Sequence, residues 1–453
     1  MLKYTHEIKA PLTNLYMLGI VLPTLGLALL PLASTLLGGV VKWTHVFVLF
    51  NLIIPFFVFY LTTNVMLKRP GGHGESSLLE RNPLYYQYIN KGVYLKAGAI
   101  CLPFLLLGLL PLFYPAFARM VGWQEDFALA DLGLSVFGSG NFFGYLDGNG
   151  PFGIGALVLS LFIPFSIAMF FALSFSLRTK ELIKTREQSN ELEKEFNNSL
   201  FTLANRLGDG TPAEIAFSKV AESSKGQKTE NFFRIVHTNI QSMGMSLEEA
   251  IFNPQRGALV YYPSNLIATS MRILVESVKK GLKVAAQSLM SISEYVRNIQ
   301  KINERLRDLL AEVVSDMSSN MTFLAPLLAG IVVGLASMIT GILGQLKNMM
   351  DLGGAETSIA GFGSVGGIVD LFDITKMVPP YFMQVAIGIY IIEIIFILTS
   401  TLVVVDSGED KLRKTYEISK NLIRGSILYL ITALISILAL SLLAGVALGG
   451  LAG

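Results

Sequence analysis

Seven apolar stretches, each long enough to cross a bilayer as a helix, constrain this chain more than any other feature. They run near Leu12 to Val41, Val46 to Leu67, Val93 to Phe117, Phe152 to Leu177, Thr322 to Leu346, Pro379 to Val405 and Gly425 to Leu448. Four precede a polar run of 144 residues, 178–321, and three follow it. Hydrophobic residues make up 52% of the chain and charged residues 15%, with a mean hydropathy of +0.56, well outside soluble globular composition. The expected class is an all-α integral membrane protein with about seven transmembrane helices. A cytoplasmic helical bundle is expected between the fourth and fifth. The first apolar run is too long for a cleaved leader and has no small-residue cleavage site at a suitable distance.

Orientation follows from the basic residues. With the insert inside, segments 1–11, 68–96, 178–321 and 406–424 hold 31 of the 35 lysines and arginines, leaving Lys42, Arg119, Lys347 and Lys376 outside. The asymmetry persists when the large insert is left out, at 12 against 4. The sequence therefore predicts a multi-pass protein of the cytoplasmic membrane with its N-terminus inside and its C-terminus outside. The lone Cys101 lies within a span and excludes an intramolecular disulfide. A net charge of +2 gives no reason to expect nucleic acid as a partner.

Enzyme chemistry leaves no signature. No glycine is followed by the Lys-Ser or Lys-Thr of a phosphate-binding loop, and no nucleophile elbow is present. His6, His45, His73 and His237 stand too far apart for a metal spacing. "GSGNFFG" at Gly138 has the wrong spacing for a dinucleotide loop and reads as a flexible external loop. The chain is expected to be no enzyme, with no cofactor and no metal. One acid, Glu393 in "IYIIEIIFIL", falls about mid-span. It reads either as an ion or proton site or as a bundle-facing group that hydrogen-bonds a neighbouring helix. Besides Glu393 and Asn51, few polar groups lie at mid-membrane.

The insert reads as helical throughout. The fourth span continues without glycine or proline to Gly208, and two shorter helices are expected beyond it. "LGDGTPAEIAF" places Gly208 and Gly210 before a start in which Thr211 caps, Pro212 takes the first helical position and Glu214 closes a capping box, with Phe217 beyond. "GMSLEEAIF" repeats the device with Gly244, Ser246, Glu249 and Phe252. From Leu282 to Met317 apolar residues recur at spacings of three and four, a bundle seam running on into the fifth span. Descent on one long helix and return on another predicts that turns 208–212, 244–246 and 279–283 share the distal end. Arg206, Lys279, Lys280 and Lys283 would make that end basic.

In order and placement, "LGDGTPAEIAF", "MGMSLEEAIF" and "MSSNMTFLAPLLAGIVVG" resemble the type II secretion system F domain over about 178–345. That family comprises the membrane platforms of type IV filament machines, known as GspF, PilC, TadC and FlaJ. Four spans before the domain and three after it look most like the archaeal branch, which includes platforms of archaella and adhesive pili. The resemblance implies a core assembly protein that anchors a filament base and accepts pilin or archaellin-like subunits from the surrounding lipid. It would couple to a separate hexameric secretion ATPase, with Arg206, Lys279, Lys280 and Lys283 as contact candidates, and work as a homodimer. Family members usually carry two such domains. Here Ala10-Pro11-Leu12 entering the first span parallels Ala325-Pro326-Leu327 entering the fifth, so 1–11 resembles the end of a first domain and the chain is expected to begin partway through a platform. The domains expected are thus 1–11, spans over 12–177, the bundle over 178–321 and spans over 322–453. A secondary transporter with a cytoplasmic regulatory helical domain is the rival expectation; it would need several polar groups at mid-membrane.

Overall fold

The computed structural model describes residues 17–37, 40–67, 90–129, 141–145, 150–262, 264–352 and 377–449, with Pro11, Leu15 and Asp131 besides. Expectations for segment 1–10, for the glycine loop at Gly138 and for His73 and Lys376 lie outside the described residues. Among the described residues every regular element is helical, apart from an isolated bridge between Ala128 and Asn141.

A π turn, Met17–Val21, opens into α1 (Leu22–Leu36). The second helix, α2 (Trp43–Leu67), contains another π turn at Leu49–Ile53, and α3 (Gly92–Val121) follows. A short helix, Ile154–Ser160, leads into α4 (Phe162–Gly208), 47 residues without a break. Then come α5 (Ala213–Ser223), α6 (Glu230–Met243), α7 (Leu247–Phe252), a single turn Ala258–Tyr261 and α8 (Asn265–Val278). The return helix α9 (Leu282–Ser319) passes through a third π turn, Asn320–Leu324, into α10 (Ala325–Leu352). The chain closes with α11 (Pro380–Ser407) and α12 (Lys411–Gly449).

Among the described residues six helices are long and apolar enough to cross a membrane, which makes this an all-helical, multi-pass membrane protein. The seventh expected span, Leu12 to Val41, is described only in part, as the apolar helix Met17–Leu30. Small residues let the helices meet closely. A Cβ at Gly330 would lie 2.3 Å from Thr432 Oγ1, and one at Gly334 would lie 2.4 Å from Ser436 Oγ, so these glycines, four apart on α10, form the seat for α12. In α3, Pro115 has no N–H to give the Pro111 carbonyl, and the Tyr145 hydroxyl donates to that carbonyl instead. The Tyr381 hydroxyl donates to the Gly108 carbonyl at 2.9 Å, tying α3 to α11.

Among the described residues the two largest hydrophobic clusters lie apart, one among the long apolar helices and one in the insert. The membrane core gathers residues of α2, α4, α10, α11 and α12 and extends along α9 from Leu306 to Met317. The insert has its own core, centred on Phe196, Phe217, Phe232 and Phe233, whose rings pack with centroids 5.3 to 5.9 Å apart. Burying each such ring contributes about 1.5–3 kcal/mol. Ser199 of α4 meets Ser224 and Thr229 at 3.2 and 3.1 Å, fastening the loop after α5 to the descending arm.

Two expectations change. The two short helices become α5, α6, α7 and α8, because Gly226 at φ +85° turns the chain between α5 and α6, and Gly244 at φ +63° ends α6. The seam on α9 is also interrupted. Leu289, Val296 and Leu306 are buried, but Ile299 and Ile302 are 40% and 44% exposed. They fall on the stretch of α9 between the insert core and the membrane core.

Candidate functional site

The far end of the insert is where sequence reasoning placed a contact surface, and the structure does gather its turns. The Ser293 hydroxyl of α9 donates to the Asn197 carbonyl of α4 at 3.3 Å, which sets the antiparallel pairing of the arms. Further out, a Cβ at Gly208 would stand 3.6 Å from Ala286, so the end of α4 lies on the first turn of α9. Lys279 Nζ reaches Glu248 Oε2 at 3.4 Å and brings the start of α7 to the same place. Turns 208–212, 244–246 and 279–283 therefore share one end.

Each turn has a backbone reason. Gly210 adopts φ +82°, Gly244 φ +63° and Gly281 φ +119°, where a side chain would be strained. At α7 the expected capping box forms: Ser246 Oγ accepts from Glu249 N at 3.2 Å, and Ser246 N donates to Glu249 Oε2 at 3.3 Å. At α5 it does not. Pro212 is itself the N-cap residue, with ψ 145°, and no side chain caps the helix. Proline's extended ψ starts the helix one residue later than expected, leaving Thr211 too far back to cap and Glu214 exposed. The two motifs diverge further on. Phe217 is fully buried in the core, whereas Phe252 is half-buried with the Arg272 guanidinium 5.6 Å over its ring.

The expected basic tip is corrected to a mixed one. Lys279 pairs with Glu276 at 3.1 Å and with Glu248 at 3.4 Å, and these carboxylates, Glu276 first, hold its ammonium above the ordinary lysine range. Arg206 is half-buried with its Nε enclosed and without a hydrogen-bond partner. Lys280 and Lys283 are exposed, but so are Asp209, Glu248, Glu249 and Glu276. A count of lysines along 279–283 overlooks the acids that α7 and α8 bring beside them. What remains is a cationic spot at Lys280 and Lys283 within a surface of mixed charge.

Sequence reasoning missed the base of the arm. Arg186 of α4 donates to Asp410 Oδ2 at 2.5 Å in the turn between α11 and α12, where Asp410 is 9% exposed. Asp410 Oδ1 also accepts from Arg413 N at 3.0 Å, and the Arg413 guanidinium pairs with Asp406 at 2.8 Å. Leu182, Ile183, Leu412 and Tyr416 pack around this brace. The pair lies 224 residues apart in sequence, so no local pattern could show it.

Glu393 lies midway along α11, half-buried, with Oε2 enclosed and lacking a hydrogen-bond partner. The expected bundle hydrogen bond is thus not made by that oxygen. Neither a known family model, nor a curated protein, nor a solved structure matches this chain.

Proposed function

We propose that this chain is the membrane platform of a type IV filament machine, of the kind built around a type II secretion F domain. The single observation that carries the reading is the pair of continuous helices, α4 and α9 with α10, that join a separately cored helical domain to the membrane bundle. Such arms suit the transmission of displacement between the two, and the order of the sequence motifs supports this class of machine. In this reading the insert is cytoplasmic and a separate hexameric ATPase supplies energy to it. Filament subunits enter the membrane bundle from the surrounding lipid. The brace at Arg186 and Asp410 makes the descending arm move with the α11–α12 hairpin.

The test is binding of a secretion ATPase from the same organism to the chain in lipid nanodiscs. Specific binding that falls when Lys280 and Lys283 become glutamate is the expected result. No binding to any such ATPase, with the chain folded, overturns the reading. A secondary transporter is the second reading, favoured by the unpartnered membrane-embedded groups of Glu393 and Asn51. It predicts solute flux in liposomes and no ATPase binding.

A further inference from the structure

Three π turns occur among the described residues, and all three pack against α11. Such turns widen the helix locally and concentrate at functional positions. Two of them meet α11 around Tyr390. The Tyr390 hydroxyl donates to the Gly19 carbonyl in the first π turn, and its ring meets Phe50 of the second edge-on at 6.4 Å.

Asn51 follows Phe50 in that second turn. It is 8% exposed, and both its Oδ1 and its Nδ2 are buried without a hydrogen-bond partner. The stacked rings of Trp43 and Phe382, 5.0 Å apart, fix the register of α2 against α11, and the Phe50–Tyr390 pair shows that the two helices run in the same direction. Counted from that stack, Asn51 is eight residues along and Glu393 eleven, so they stand within about one helical turn, ~5 Å, along the axis. At about 100° per residue, Glu393 falls between Phe382 and Tyr390 on the α11 wheel, the side that meets α2. An enclosed carboxylate oxygen on α11 and a wholly unpartnered amide on α2, a helix packed against it, thus stand at similar depth in the membrane span.

The membrane-embedded segments of α1 and α2 offer Glu393 no charged partner. Val46–Leu67 and Met17–Leu36 contain no charged side chain, and the titratable groups there and on α11 nearby are the hydroxyls of Tyr60 and Tyr390. Tyr429 of α12 is turned to Gln384, on the other side of α11. An acid in that setting takes a counter-cation, and an amide oxygen at the same depth on the neighbouring helix can add a neutral ligand. An apolar groove of about 480 Å³, lined by Leu18, Leu22, Phe50, Ile54 and Val58 among others, opens along the same stretch of α2.

We propose that Glu393 and Asn51 form a membrane-embedded site for a small monovalent cation, a proton or a sodium ion. The site stands whether the chain is a platform or a transporter.

The test uses the full chain in detergent micelles and dicyclohexylcarbodiimide, an apolar reagent that modifies membrane-embedded carboxyls in their protonated form. Mass spectrometry of peptides locates the adduct. The expected result is labelling at Glu393, lost in Glu393→Gln. If the ion is sodium, added NaCl, but not choline chloride, slows labelling. If it is the proton alone, labelling falls as pH rises from about 5 to about 9 with no effect of sodium. In either case Asn51→Leu shifts the sodium or pH midpoint by roughly tenfold, as expected when a ligand's partner is lost. Asn51→Ala serves the same purpose should the leucine variant aggregate. Absence of labelling at Glu393, labelling indifferent to both ions, or midpoints unchanged in the Asn51 variants would each overturn the site.

Discussion

At the scale of single residues, the two capping motifs separate a cap that forms from one that does not. Ser246→Ala removes the acceptor of the Glu249 amide and should cost about 0.5–2 kcal/mol, with faster hydrogen exchange confined to α7. Thr211→Ala should leave the exchange of α5 unchanged, since no side chain caps that helix. Exchange of the full chain followed by mass spectrometry reads both at once. The sequence announced a hydroxyl and an acid at the right spacing in each motif. It did not announce that Pro212 would take the cap position, because the outcome depends on one ψ angle. The brace belongs to this scale too. Asp410→Ala strands the Arg186 guanidinium, 28% exposed, and should cost about 3 kcal/mol, whereas Arg186→Ala with Asp410→Ala together should cost less than the two separate losses combined. Thermal inactivation of the solubilised protein in a double-mutant cycle measures the coupling.

Among the elements, hydropathy and helix period carried most of the fold. The unbroken α4 was legible because nothing between Phe162 and Leu207 interrupts a helix more seriously than Pro164 in its first turn. The continuity of α9 into α10 was legible from the same spacing. What stayed hidden were events set by tertiary neighbours. Ile299 and Ile302 keep the apolar period but lie where the insert core has ended and the membrane core has not begun. The acids beside Lys279 come from α7 and α8, so charge counted along the sequence misjudged the tip. The π turn of α2, which packs on α11, left no pattern in "LFNLI". The seat of α12 on α10 gives a direct prediction. Gly330→Leu places its Cβ against Thr432 and the Ala433 amide, 2.3 and 2.7 Å away, and should destabilise the bundle by about 1–3 kcal/mol through overpacking. Gly341→Leu, where nothing stands within 4 Å, should be neutral in the same thermal assay.

For the whole molecule, paired arms join the insert core to the membrane core, and the proposed function depends on that coupling. In the platform reading, the exposed Lys280 and Lys283 on a balanced tip mean that electrostatics would tune ATPase binding rather than dominate it. Their double substitution to glutamate should therefore weaken ATPase binding about tenfold at low salt and less at moderate salt. The most direct measurement of the central claim is deletion of the gene in its own organism, followed by electron microscopy of the cell surface and rescue by the intact gene. A platform predicts the loss of one class of surface filament, with its subunits retained unassembled in the membrane and filaments restored on rescue. Filaments unchanged in number and length after deletion would contradict it.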